Sequence, residues 1–241
     1  MAAGALAAMA LGVTASGASA SRGDCDKAVA HHKVIGEDAR GLVFTRNYVA
    51  YACSYRTGDT HRLPGQGKGE VDLGHGDRRG TWSVTDDPIT GAMLRMAGGH
   101  AAYGLQWEEK LPDGSAPDTH ATVRGRVVSY DFRHGTTKYA TTPSDGEFTV
   151  SALVAKPNGS VAWVYDYAGQ YGPLDQRVVK MDRATGGEER GLDSSERFDG
   201  GYYAIDYGSL ALSDRRQEIY WSASNYQGDQ TTHTTLHAPL R

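Results

Sequence analysis

The side chains best suited to chemistry are tyrosines and carboxylates gathered in irregular, polar stretches. Residues 165–176 carry Tyr167, Tyr171 and Asp175. Residues 225–230 carry Tyr226 and Asp229, and residues 109–123 open with Glu109. A tyrosine ring stacks on the apolar face of a pyranose while carboxylates and amides take its hydroxyls, so this mixture suits sugar binding. We expect Tyr167, Tyr171, Asp175, Tyr226, Asp229 and Glu109 to form a ligand-binding rim. The competing explanation is plain solvation of polar loops.

Other groupings point less far. Glu108-Glu109 and Asp86-Asp87 are raw material for glycoside hydrolysis, which works with two carboxylates across the scissile bond. Neighbours on a strand point to opposite faces, so neither pair acts alone; one member of each would be needed. His233 and His237 share a face if extended, but a zinc site needs a third ligand that no spacing marks. Asp113-Gly114-Ser115 lacks the further acidic positions of a calcium loop. The glycines of 65–69 lack P-loop spacing, and no G-x-S-x-G or H-E-x-x-H motif occurs. The sequence therefore assigns no catalytic residue, metal or cofactor.

Composition sets the elements that must position these groups. The formal net charge of −4 argues against nucleic acid as the main partner, because phosphate binding needs a basic surface. Thirty-one glycines and 14 tyrosines against 4 phenylalanines suit short strands joined by tight turns. No long amphipathic helix is evident.

Met1–Ala20 has no charged side chain and ends in Ala18-Ser19-Ala20. It reads as the apolar core and cleavage site of a secretory signal peptide, although no Lys or Arg precedes it. It is too short and glycine-rich for a membrane span. Ser21-Arg22-Gly23-Asp24 before Cys25 differs from a lipoprotein site, so we expect release rather than lipid anchoring. The expected mature chain is then residues 21–241, one domain, secreted or extracytoplasmic and without a membrane span. Export permits a disulfide, and Cys25 with Cys53 allows one pairing.

Internal repeats give the fold. The segments beginning at Gly91, Ser151 and Ser209 align without gaps at a spacing of roughly 60 residues. Each holds an apolar pair, a polar turn and an alternating strand ending in Tyr103, Trp163 or Trp221. The middle turn contains Asn158-Gly159, the signal for a two-residue hairpin with positive φ at both positions. Trp163 and Trp221 sit at equivalent repeat positions and are expected in the core. Arg126–Asp131 and Arg177–Asp182 begin second strand–turn–strand units, and Tyr48–Tyr55 begins another. One copy is thus four strands, the unit of a β-propeller.

The run Ala155-Lys156-Pro157-Asn158-Gly159-Ser160-Val161-Ala162-Trp163, followed by Val179–Asp182 and Thr185-Gly186-Gly187, resembles the blade repeat of TolB-like propellers. The resemblance implies an all-β, propeller-like fold with ligands on the face holding the second-to-third strand loops. About four repeats follow, near 31–63, 91–140, 147–193 and 207–238, with Ala28–Ile35 available to complete the last. A β-sandwich is the competing fold. The leading functional expectation is a secreted, non-catalytic binding or scaffold protein whose partner is a glycan or a protein. The rivals are a secreted glycan-active hydrolase and a structural envelope or protein-interaction module.

Overall fold

A computed structural model describes residues 16–47, 49–64, 94–108, 123–142, 147–168, 175–183, 188–206, 208–213, 215 and 217–241. Helix α1 (Ser16–Val29) precedes four antiparallel sheets. The first is the meander β1 (Lys33–Asp38), β2 (Gly41–Arg46), β3 (Val49–Ser54) and β4 (Thr60–Arg62). The second is β5 (Leu94–Ala97), β6 (His100–Glu108), β7 (Val123–Asp131) and β8 (Thr136–Thr142). The third is β9 (Glu147–Ala155), β10 (Val161–Ala168), β11 (Asp175–Met181) and β12 (Glu189–Ser194). The last holds β13 (Glu196–Phe198), β14 (Gly201–Ile205), β15 (Ala211–Ser213), β16 (Glu218–Gln227) and β17 (Gln230–Pro239). The chain is all-β and propeller-like, with irregular blades and, among the described residues, no sheet closed on itself. Four separate sheets replace the two layers of a sandwich.

Alternation explains the stacking. On β10, Val161, Trp163 and Tyr165 pack with Ala102 and Val127 of the second sheet. Ala162 and Val164 point the other way, against Ile205, Ile219 and Trp221 of the last sheet. A strand covered on both faces must be apolar on both, hence the nearly unbroken run Val161–Tyr165. Trp163 and Trp221 are both buried, as their repeat positions require. Val43, Ala50 and Ala52 join the first sheet to Tyr103, Leu105 and Val128 of the second.

One hairpin differs from expectation in an instructive way. Asn158-Gly159 does sit in the β9–β10 turn, but only Gly159 has positive φ. The Gly159 amide donates to Lys156 O at 2.9 Å and the Lys156 amide to Ser160 O at 2.8 Å. This is a type I turn followed by a left-handed glycine. Pro157, fixed near −65°, occupies the position that a type I turn favours. The two-residue turn with both φ positive lies at Gly98-Gly99, at 58° and 87°.

Both ends of the described chain are fastened. Cys25 of α1 is bonded to Cys53 of β3, with Cα atoms 5.7 Å apart. Around the bridge, Leu42, Phe44 and Tyr55 are buried, and Val29 packs on them. Arg22 pairs with Glu37 at 2.8 Å and lies 4.8 Å over the Tyr55 ring. Burial, reinforced by the hydrogen bond to Glu37, pushes the Tyr55 phenol up to about 12. Ala28 and Val29 therefore belong to a helix and Ile35 to β1 of the first sheet. They do not complete the last sheet, because the disulfide commits this segment to β3. The last sheet instead carries β13 beside β14, and β14 and β15 both pair with β16.

At the other end, polar side chains of the third sheet hold the final residues. Lys180 Nζ donates to Asp182 and to Pro239 O, each at 2.6 Å. Lys156 Nζ donates to Leu240 O, Asp182 accepts from the Arg241 amide at 2.7 Å, and Leu240 is buried. Asp193 of β12 accepts from Tyr203 at 2.7 Å and from Trp221 Nε1 at 2.6 Å. These bonds tie the third sheet to the last, and Lys156, Lys180 and Asp182, the buried charges among them, are each partnered.

The disulfide encloses 28 residues of sequence separation. Replacing both cysteines with serine should lower stability by roughly 3–4 kcal/mol on the chain-entropy account. Calorimetry should then show the midpoint falling by about 10 °C. An unchanged midpoint would mean that α1 does not hold the first sheet.

Candidate functional site

The last sheet has one face against the third sheet and one exposed. Unbroken register along β16 and β17 puts Tyr220, Ser222, Ser224 and Tyr226 on the exposed face with Thr231, His233, Thr235 and His237. Tyr202 of β14 joins them opposite Tyr226. The Tyr202 and Tyr226 rings stack, 4.3 Å between centroids at 14°. Tyr202 is 46% exposed. At the far end of the face, Tyr220 and His237 form a second aromatic pair, 5.8 Å apart at 31°.

Local sequence builds this face. A Cβ on Gly201 would stand 2.0 Å from Tyr226 O and 2.7 Å from the Phe198 ring, so only glycine lets β14 approach β16 here. Phe198 lies over Gly201 on the other side of the sheet. Between β14 and β15 the chain leaves the ladder. Ser209 Oγ then accepts the Ser222 amide at 3.0 Å, and the Asp206 amide bonds Ser222 O at 2.8 Å. That detour brings Asp206 over the exposed face.

Ser224, Asp206 and His233 resemble a hydrolytic triad in composition but not in order. The Ser224 hydroxyl donates to Asp206 at 2.5 Å and meets His233 Nδ1 at 2.7 Å. A nucleophilic triad has the imidazole between serine and carboxylate. Here the serine stands between them, 1% exposed and committed to both. The arrangement orients His233, whose side chain is 70% exposed. His237 is 61% exposed and lies 3.6 Å from Glu218. The two histidines share a face, as their spacing predicts, yet each faces a different carboxylate.

Of the expected rim, Tyr226 is in the stacked pair and Asp229 lies in the adjacent β16–β17 turn. Tyr167 and Asp175 are cross-strand partners on β10 and β11. Tyr171 and Glu109 lie outside the described residues, as do Asp86, Asp87 and the glycines of 65–69. Sequence reasoning missed Tyr202 and Tyr220, and weighed His237 only as a metal ligand with His233. The Tyr202-Tyr203-Ala204-Ile205 alternation marks a strand, but residues 196–206 fell between the predicted repeats.

A smaller concavity of about 140 Å³ lies at the seam of the second and third sheets, among His100, Asp131, His134, Asn158 and Arg183. His134 Nδ1 meets Asp131 at 2.6 Å, and His100 Nε2 lies 3.6 Å from it. Burial holds the His100 imidazole below its ordinary value, with Asp131 opposing. Burial alone would raise Asp131. The His134 bond, the Arg133 amide and the charges of both histidines outweigh it and leave the carboxyl below its usual range. Among the described residues, no group of three or more His, Cys, Asp or Glu is arranged to hold a metal.

No protein-family model matches the chain, and no curated protein matches it. Among solved structures, it is similar to a protein described as a dipeptidyl aminopeptidase IV from Bacteroides ovatus, at 10% identity and a TM-score of 0.39. The match covers 81% of this chain and 37% of that one, so the chain spans well under half of that protein's length.

His100 and Asp131 both bind protons less readily folded than unfolded. Stability should therefore be full above the unfolded imidazole value of about 6.5 and fall as pH drops through the lower folded value. Thermal midpoints should decline from pH ~7 to pH ~5, and His100→Gln should flatten that decline. An equal slope in wild type and variant would remove His100 from the account.

Proposed function

We propose that this is an exported, non-catalytic binding protein that takes an extended glycan on the outer face of its last sheet. The observation that carries this reading is the Tyr202–Tyr226 stack on a strand face exposed to solvent. Tyr220 lies six residues from Tyr226 on the same strand, so the second aromatic pair is about 20 Å farther along. Between the pairs stand hydroxyls and imidazoles of Ser222, Thr235 and His233, with Asp206 and Glu218 at the margin. Rings that stack on sugar faces, with polar groups between to take hydroxyls, suit a linear saccharide chain.

Export is supported by the Met1–Ala20 segment and by the disulfide, which suits an oxidising compartment. Cleavage after Ala20 would leave Cys25 and its bridge in the mature chain. Among the described residues, no helix is long and apolar enough to cross a membrane. The Lys156–Trp163 run supports kinship with TolB-like propellers, and the buried, committed Ser224 supports binding without turnover.

Isothermal titration against soluble β-glucan, xylan, mannan and chitooligosaccharides tests the reading. One class should bind, and Tyr202→Ala with Tyr226→Ala should weaken it about tenfold or more, with the thermal midpoint kept within a few degrees. No new reducing ends should appear. A flat panel, binding unchanged in the double variant, or release of reducing ends would overturn the proposal.

A further inference from the structure

Three turns meet at the edge where the first and second sheets join. They are the β1–β2 turn with Ala39 and Arg40, the β3–β4 turn with Tyr55 and Arg56, and the β7–β8 turn with Phe132 and Arg133. Together they line a concavity of about 560 Å³. That size is in the range of small-molecule sites. It lies on a different pair of sheets from the aromatic face and shares no residue with it.

The walls are held in place. Phe132 lies on Gly41, where a Cβ would stand 3.1 Å from its ring, and it meets Tyr130 edge-on at 5.6 Å. The Arg40 stem lies on Gly99, where a Cβ would stand 2.6 Å from Arg40 Cδ. The Tyr55 hydroxyl is bonded to Glu37.

The neighbouring carboxylates are already engaged. Asp38 accepts the Arg40 amide at 2.7 Å, the Gly41 amide at 3.2 Å and the Gly99 amide at 2.8 Å. Asp131 accepts the Arg133 amide at 2.8 Å and pairs with His134, and Glu37 pairs with Arg22. The guanidinium groups of Arg40 and Arg133 have no carboxylate partner among the described residues. The concavity therefore gathers positive charge over an aromatic floor, in a chain whose net charge is −4.

We propose that this concavity binds an organic anion. Its oxyanion, a carboxylate or a phosphate, is held by Arg40 and Arg133, and its apolar body lies on Phe132. Guanidinium groups match the planar geometry of such oxyanions and stack on flat groups, which is why arginine rather than lysine suits the role.

Calorimetric titration of the full chain with phenyl phosphate, benzoate and inorganic phosphate tests this. Phenyl phosphate or benzoate should bind at one site, and whichever binds identifies the oxyanion. Arg40→Gln with Arg133→Gln should weaken that binding about tenfold or more. Phe132→Leu should weaken the aromatic anion but not inorganic phosphate. Arg46→Gln, on an exposed strand end, should change nothing, and thermal midpoints check that every variant folds. Three results would each overturn the proposal. They are no binding of either aromatic anion, inorganic phosphate binding as tightly as phenyl phosphate, or an equal loss in Arg46→Gln.

Discussion

A stack of two-faced sheets always has two end faces, and the rest of this structure follows from how each is treated. Internal faces are buried by their neighbours, and stacked units need ends that tolerate water or are covered. At the first sheet the outer face is apolar, with Leu42, Phe44 and Tyr55, and a helix tied by the Cys25–Cys53 bridge covers it. At the last sheet the outer face is polar and aromatic. Burial dictates the sequence at the first end. At the second end Tyr202 is exposed and Tyr220 and Tyr226 are half-buried, which makes that face the candidate for recognition.

Recognition of an extended ligand asks for a surface that does not rearrange, and the polar fastenings supply one. Lys156, Lys180 and Asp182 grip the strand end after β17, and Asp193 grips β14 and β16 through Tyr203 and Trp221. Burial and the bond to Asp193 push the Tyr203 phenol up, so it remains a donor at neutral pH. These bonds all reach the last sheet from its inner side. They leave the stacked tyrosines of the outer side out of these fastenings.

Much of the fold was legible because period-two alternation and turn glycines are local signals. Trp163 and Trp221 could be placed in the core from repeat position alone, and the third sheet, Glu147–Ser194, falls on the repeat expected near 147–193. The helix was not legible: Ser16–Val29 is poor in apolar side chains, and its place depends on a bond to a residue far along the chain. Turn type at Asn158-Gly159 was misread because Pro157 competes with the dipeptide signal. The aromatic face was half legible. Tyr226 stood in a loop-like stretch beside Asn225 and Asp229, while Tyr202 acquires its partner only through β14–β16 pairing. The arginine concavity draws on three turns from two sheets, and no linear pattern marks such a meeting.

Two things are proposed of the outer face of the last sheet: that it is open to solvent and that it receives a glycan. Hydroxyl-radical footprinting, read by mass spectrometry with and without the saccharide panel, addresses both halves at once. Tyr202 and Tyr226 should oxidise readily in the free protein and buried Tyr103 slowly, and one saccharide class should protect the first two. Tyr202 as unreactive as Tyr103 in the free protein would show that something covers this face. Reactive tyrosines that no saccharide protects would place recognition elsewhere. Either result would contradict the account.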